Sequence, residues 1–260
     1  MASVFDLFLL FFGLILRIVI SGFGYNLPVM SVGLCKLRFY LTYVLALSSL
    51  TYKCLATIDR CCSTCRTVKS RTFSNLSLAR QLCVLTVLFW LLTLLPFPLL
   101  TNIYVIGEAN QTKSKVCNYY SIIYANFHLY FNSLLCFNLI PIFVMTLFGI
   151  LTYKNLRNRI VPLHQRRSHR NRIDVQLTKI MLLQTLIVIV SSVPPTILNM
   201  YMGLTIDTEK NSFRLAQENL FSTIVTLFFY TQYSTAFYCF SILSKSFREQ
   251  CLQRSGFRKL

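Results

Sequence analysis

Six stretches of this chain stay apolar for about the length of a bilayer crossing: residues 4–20, 37–58, 82–104, 131–153, 177–202 and 220–243. A spanning helix needs roughly 17–25 such residues. Inside hydrocarbon the chain has to satisfy its own backbone polar groups, which leaves helices or closed barrels. Windows of this length are helical spans, because a tilted barrel strand needs only ~9–11 residues. The segments between them are short, turn-bearing or charged, with no room for a soluble domain and no internal repeat. The expectation is a single all-α polytopic membrane bundle. No basic residue precedes the first window and Asp6 lies near its front, so it reads as a retained span and not a cleaved secretory signal.

Charge orients the bundle. The net charge of +18 would suggest nucleic acid in a soluble protein, but here Lys and Arg lie between apolar runs and form no continuous basic face. Arg60, Arg66, Lys69, Arg71 and Arg80 follow the second window, Lys154 to Lys179 the fourth, and Lys245 to Lys259 the sixth. The opposite segments hold fewer, among them Arg17, Lys36, Arg38, Lys113, Lys115, Lys210 and Arg214, diluted by acids. The positive-inside rule then places the C-terminus in the cytoplasm, and six spans put the start there too. The basic loops suit anionic lipid. Asn110-Gln111-Thr112 is a glycosylation sequon on the outer side. Cys35 and Cys117 are the only cysteines at or beyond outer helix ends, where a leftover pair is most simply a disulfide.

Enzyme chemistry finds no support. There is no Gly-rich phosphate loop, HExxH, nucleophile elbow or pair of intramembrane acids. Asp6 is the one acid, and Lys53 the one base, well inside a window. His128, His164 and His169 are scattered, and Cys61, Cys62 and Cys65 lack a fourth ligand at a set spacing, so neither a metal nor a cofactor is expected. A six-span channel or transporter is the reading from another class. It would call for polar residues lining several helices or for paired broken helices.

The second window carries a more specific pattern. Cys35 opens it at the outer end, and Asp59-Arg60-Cys61 close it at the inner end twenty-five positions later. The next window holds Trp90, then Pro96 and Pro98. Cys117 sits in the following outer loop, Pro141 within the next helix and Pro194-Pro195 within the one after. Lys245-Ser246-Phe247-Arg248 follows the last. In order, spacing and topology this resembles the rhodopsin-like, class A, G-protein-coupled receptors, beginning at what is the family's second helix. The resemblance implies residues 1–244 as a receptor domain incomplete at its N-terminus, with six of seven spans, and 245–260 as a short amphipathic helix and cytoplasmic tail.

By the same resemblance the chain is a multi-pass plasma-membrane receptor that binds an extracellular ligand and signals through a heterotrimeric G protein; a non-signalling truncated receptor is the alternative. Asp59, Arg60 and Asp174 stand where the family keeps its activation switch, with Asp174 holding Arg60 in the closed state. Pro141 and Pro194 kink their helices. The sodium-site acid falls on Asp6, or on Phe5 if the register slips. The aromatic switch position is Ser192 or Val193, and the Asn-Pro-x-x-Tyr stretch becomes residues 236–240, so these marks are eroded. Thr42 occupies the place of the amine receptors' aspartate, which disfavours biogenic amines. Outer-half polar residues such as Asn132 and Asn199, with Asn126, His128 and several tyrosines, suit a peptide. Cys251 beyond Phe247 is a palmitoylation candidate.

Overall fold

The computed structural model describes residues 2–23, 30–65, 75–106, 114–119, 121–160, 169–205, 208 and 210–243. Helix α1 covers residues 2–23, as Ala2–Leu9, a wider π-helical stretch Leu10–Ile15, and Leu16–Phe23. Helix α2 is Val32–Thr64, started by Ser31, whose side chain accepts the Leu34 amide at 3.3 Å. Helix α3 is Leu76–Thr93, started in the same way by Asn75; such caps satisfy amides that have no partner inside the first turn. A short α4, Pro96–Leu100, follows. Strands β1, Thr101–Ile106, and β2, Ser114–Tyr119, pair antiparallel with Ile103 opposite Cys117.

Helix α5 covers residues 122–160, as Ile122–Phe127, a π stretch His128–Leu139, and Ile140–Ile160. Pro141 falls at the second residue of that last section. The wide register ends there, with the Ile140 amide bonded back to the Leu135 carbonyl. Helix α6, His169–Leu204, contains Pro194 and Pro195, and α7 is Ser212–Leu243.

Among the described residues, five helices are long and apolar enough to cross a membrane. They extend past the apolar windows because a helix continues into the interface after its greasy stretch ends. The third window departs from expectation: its last residues, to Tyr104, form strand and not helix, since Pro96 and Pro98 cannot donate to a continuing helical ladder. The sixth span, α7, has 32 residues but a polar inner run, Tyr230, Thr231, Gln232, Tyr233, Ser234 and Thr235. It packs on α6 and α1, and Gln232 and Tyr233 are 3 % and 2 % exposed.

Helix α2 is the axis of the bundle, packing on α1, α3 and α5. Its Val44, Leu47 and Leu50 join Leu9, Trp90, Leu94, Phe137, Met145, Val188 and Tyr233 in one core. Three side chains fasten α2 to α3: Trp90 Nε1 donates to Thr51 Oγ1 (3.0 Å), Tyr40 to the Leu91 carbonyl and Tyr52 to the Cys83 carbonyl (2.8 Å each). Phe8, Phe11, Phe12, Leu88, Phe89, Phe143, Ile197 and Phe221 point outward. Helices apolar on their outer face as well as inside belong in lipid.

Candidate functional site

Cys35 at the start of α2 is disulfide-bonded to Cys117 on β2, with Cα atoms 6.1 Å apart. The bond draws the hairpin over this end of the bundle. Beneath it Tyr43, Phe97, Tyr119 and His128 pack ring against ring, Phe97 tilted at 5.0 Å from Tyr43 and edge-on to Tyr119 at 5.4 Å and to His128 at 5.0 Å. Such clusters are rigid and add ~0.5–1.5 kcal/mol per pair beyond their buried area.

Next to this plug lies a cavity of about 310 Å³ bounded by α1, α2, α5, α6 and α7. Phe39, Phe137, Val225 and Phe229 give it apolar walls, and Arg17 and Arg38 bring charge to it. Thr42 and Asn199 line it, as expected for a ligand pocket; Asn132 does not, and is instead buried beside it at 2 % exposure. The wide π register of α5, in which Asn132 lies, shifts side-chain directions from those of a regular helix. Thr42 donates its hydroxyl to the Arg38 carbonyl one turn back (2.7 Å), so that donor is spent on its own helix. The arginines had read only as flanking charges. The signal for Arg38 was its position four residues before Thr42, on the same helix face.

At the cavity floor the two proline-bearing helices, α5 and α6, meet. Asn138 Nδ2 donates to Thr196 Oγ1 across α5 and α6 and to the Ser133 carbonyl at 3.0 Å. Pro141 and Pro194-Pro195 lie within a turn of this bridge. The two prolines of α6 remove the amides that would serve the carbonyls at positions 190 and 191. Thr196 caps the Ser192 carbonyl with its hydroxyl at 3.1 Å.

Deeper in the bundle is a buried ion pair. Lys53 Nζ on α2 lies 3.4 Å from Asp6 Oδ1 on α1, and the side chains are 7 % and 4 % exposed. Ser49 donates to the same carboxylate. Lys53 also donates to the Gln232 carbonyl (3.3 Å) and stands 4.7 Å from the Tyr233 ring centroid. Asp6 turns inward to Lys53, while Phe5 packs edge-on against Tyr52. The sequence offered one acid and one base inside the windows; their mutual need for a counter-charge was the signal that they meet.

At the bundle end away from the disulfide, Asp59 is exposed and Arg60 half-buried near the end of α2. The Arg60 carbonyl accepts the hydroxyls of Ser63 and Thr64, both at 2.9 Å. Asp174 lies in α6 with its side chain outside the described part. Asn110, Phe247 and Cys251 fall outside the described residues altogether. Among the described residues no cluster of His, Cys, Asp and Glu could hold a metal ion.

A surface cluster joins α6 to α7 near the disulfide end. Glu218 accepts from Lys210 (2.7 Å), Arg214 (3.2 Å) and the Tyr201 hydroxyl (3.0 Å). The Lys210 hydrogen bond leads in holding the Glu218 carboxyl below its ordinary range. Arg214 is shifted up, first by its bond to Tyr201.

Among curated proteins no relative matches this chain. Residues 3–238 match the model of the 7 transmembrane receptor (rhodopsin family). That match spans all the helices described, from α1 into the last turns of α7, together with the disulfide, the proline-bearing helices and the cavity between them. The chain is a multi-pass membrane protein, and it belongs to the rhodopsin family of seven-transmembrane receptors.

Proposed function

We propose that this protein is a plasma-membrane receptor that takes a peptide end from the extracellular side into the cavity beside the disulfide and signals to a heterotrimeric G protein at the opposite end. One observation carries the reading. The helices that wall the cavity at Asn138, Pro195 and Thr196 are the two that carry proline within their length; each proline removes a backbone hydrogen bond, so a ligand seated there bears on the weakest point of both. A bound group that prefers one helix bend over another shifts the population of the whole helix, including its far end. Support for the orientation comes from the basic segments after α2 and α5, which the positive-inside rule puts in the cytoplasm. Thr42 offers no charge to an amine.

The switch reading assigns Asp174 to the closed state through Arg60. Asp174→Asn in the full chain, expressed in cells with surface display verified, should raise ligand-independent second-messenger output. A basal signal equal to that of the parent protein would sink the switch assignment.

A further inference from the structure

We infer that the ligand of this cavity presents a carboxylate, which Arg17 of α1 and Arg38 of α2 bind together. This deepens the receptor reading and rests on it only for the location of the site. Both arginines line the cavity at its disulfide end, Arg38 lying one turn inward from Cys35. Tyr230 lines the same cavity as the two arginines. Among the described residues no acid lines the cavity. Among the described residues the three ion pairs are Lys53–Asp6, Lys210–Glu218 and Arg214–Glu218, none involving Arg17 or Arg38. Arg17 Nε is buried without a hydrogen-bond partner. Two guanidinium groups facing one partly apolar space without a counter-charge are costly, and a shared anion removes both the repulsion and the unmet donor.

The shape of the space narrows the class. Guanidinium forks match a planar carboxylate through paired hydrogen bonds. The apolar walls Phe39, Phe137 and Phe229 call for a hydrocarbon or aromatic group attached to that carboxylate. At the floor, Asn138 Oδ1 and Ser192 Oγ are buried and unpartnered, ready for a further polar group. Gly13 backs Tyr230 of the cavity wall: a Cβ there would sit 2.8 Å from the Tyr230 hydroxyl. A free peptide C-terminus on a bulky apolar residue and a small aryl-alkyl acid share this chemistry.

The test is thermal unfolding of the purified full chain in detergent with two matched probe pairs. The peptide arm is Ala-Ala-Ala-Phe with a free or an amidated C-terminus. The small-acid arm is 3-phenylpropionate or its primary amide. The expected result is a concentration-dependent rise in Tm with at least one acid, absent with its amide, and the arm that responds names the source. Arg38→Gln and Arg17→Gln should each weaken that response by about tenfold or more, the loss of a charge-assisted hydrogen bond. Arg38→Lys, which keeps the charge and loses the fork, should fall between. Each variant's unliganded unfolding transition reports whether it folds, and with both exposed in part neither is needed for the core. Acids and amides shifting Tm equally, no shift with either acid, or a full response in both glutamine variants would each overturn the inference. Binding in detergent needs no G protein. A chain that binds the acids yet never couples keeps this site and loses the receptor reading, and one that couples but responds only to amines does the reverse.

Discussion

Lys53 Nζ on α2 lies 3.4 Å from the Asp6 carboxylate on α1, both side chains more than nine-tenths buried, and the same ammonium bonds the Gln232 carbonyl of α7. Three helices thus converge on one charge. Breaking such a pair from one side leaves an uncompensated charge and costs ~3–5 kcal/mol, whereas replacing both partners by apolar residues is often near neutral. Asp6→Asn and Lys53→Met should each lower Tm sharply, and Asp6→Leu with Lys53→Met should recover most of the loss. Simple addition of the two losses would show that the groups do not depend on each other.

Cys35 and Cys117 close a loop of 82 residues. Removing the bond should cost ~2–5 kcal/mol, in keeping with a loop of that size. Cys35→Ala, Cys117→Ala and the double substitution should give one common Tm, unaffected by reductant. A further drop in the double variant would mean that one thiol has another role.

Gly13 faces Tyr230, and a methyl group would meet the ring carbon at 2.9 Å as well as the hydroxyl. Alanine is otherwise the better helix former by ~1 kcal/mol, but overpacking of this kind costs ~1–3 kcal/mol. Gly13→Ala should therefore destabilise the protein. The same change made in a Tyr230→Ala background should stabilise it, and a loss of equal size in both backgrounds would rule out this contact as the cause.

Glu218 gives the disulfide end its pH response. Its carboxyl titrates below its ordinary value of 4.5 in the folded protein, through its hydrogen bonds from Lys210, Tyr201 and Arg214. A depressed acid contributes stability that is complete above the unfolded-state pKa and is lost as pH falls through the folded one. The Tm of the parent chain should fall below about pH 4.5 by more than that of Glu218→Gln. Curves that stay parallel down to pH 3 would remove Glu218 from the account.

The spans and the long α2 helix from Cys35 to Arg60 were legible because each is written locally, as a run of apolar residues along one helix. What joins distant helices was not. Arg17 and Arg38 carry the same sequence signal as Lys113 or Lys115, a basic residue near an outer helix end, and only packing brings the first two to a cavity. Asp6 and Lys53 stood out singly, but nothing in either segment states that α1 and α2 meet at that depth. Residues 101–104 read as the end of a helix and 114–119 as outer loop because neither strand carries a long alternating pattern of its own. Asn132, named with the outer-half polar residues, lies in the π stretch of α5, where side-chain directions differ from those of a regular helix.

Helix α7 differs from its neighbours in how it must come to lie in a bilayer. Insertion machinery weighs a segment by its own transfer free energy, and the run from Tyr230 to Thr235 makes this segment a poor passenger when presented alone. Its polar groups are acceptable once Gln232 meets the helix of Lys53 and Ser191, whose hydroxyl lies 3.4 Å from the Gln232 amide oxygen. Residence in lipid is then a property of the hairpin that α6 and α7 form, and of the charge waiting on α2, more than of α7 itself. Damage to the interior of the bundle would then surface as a topology error at α7.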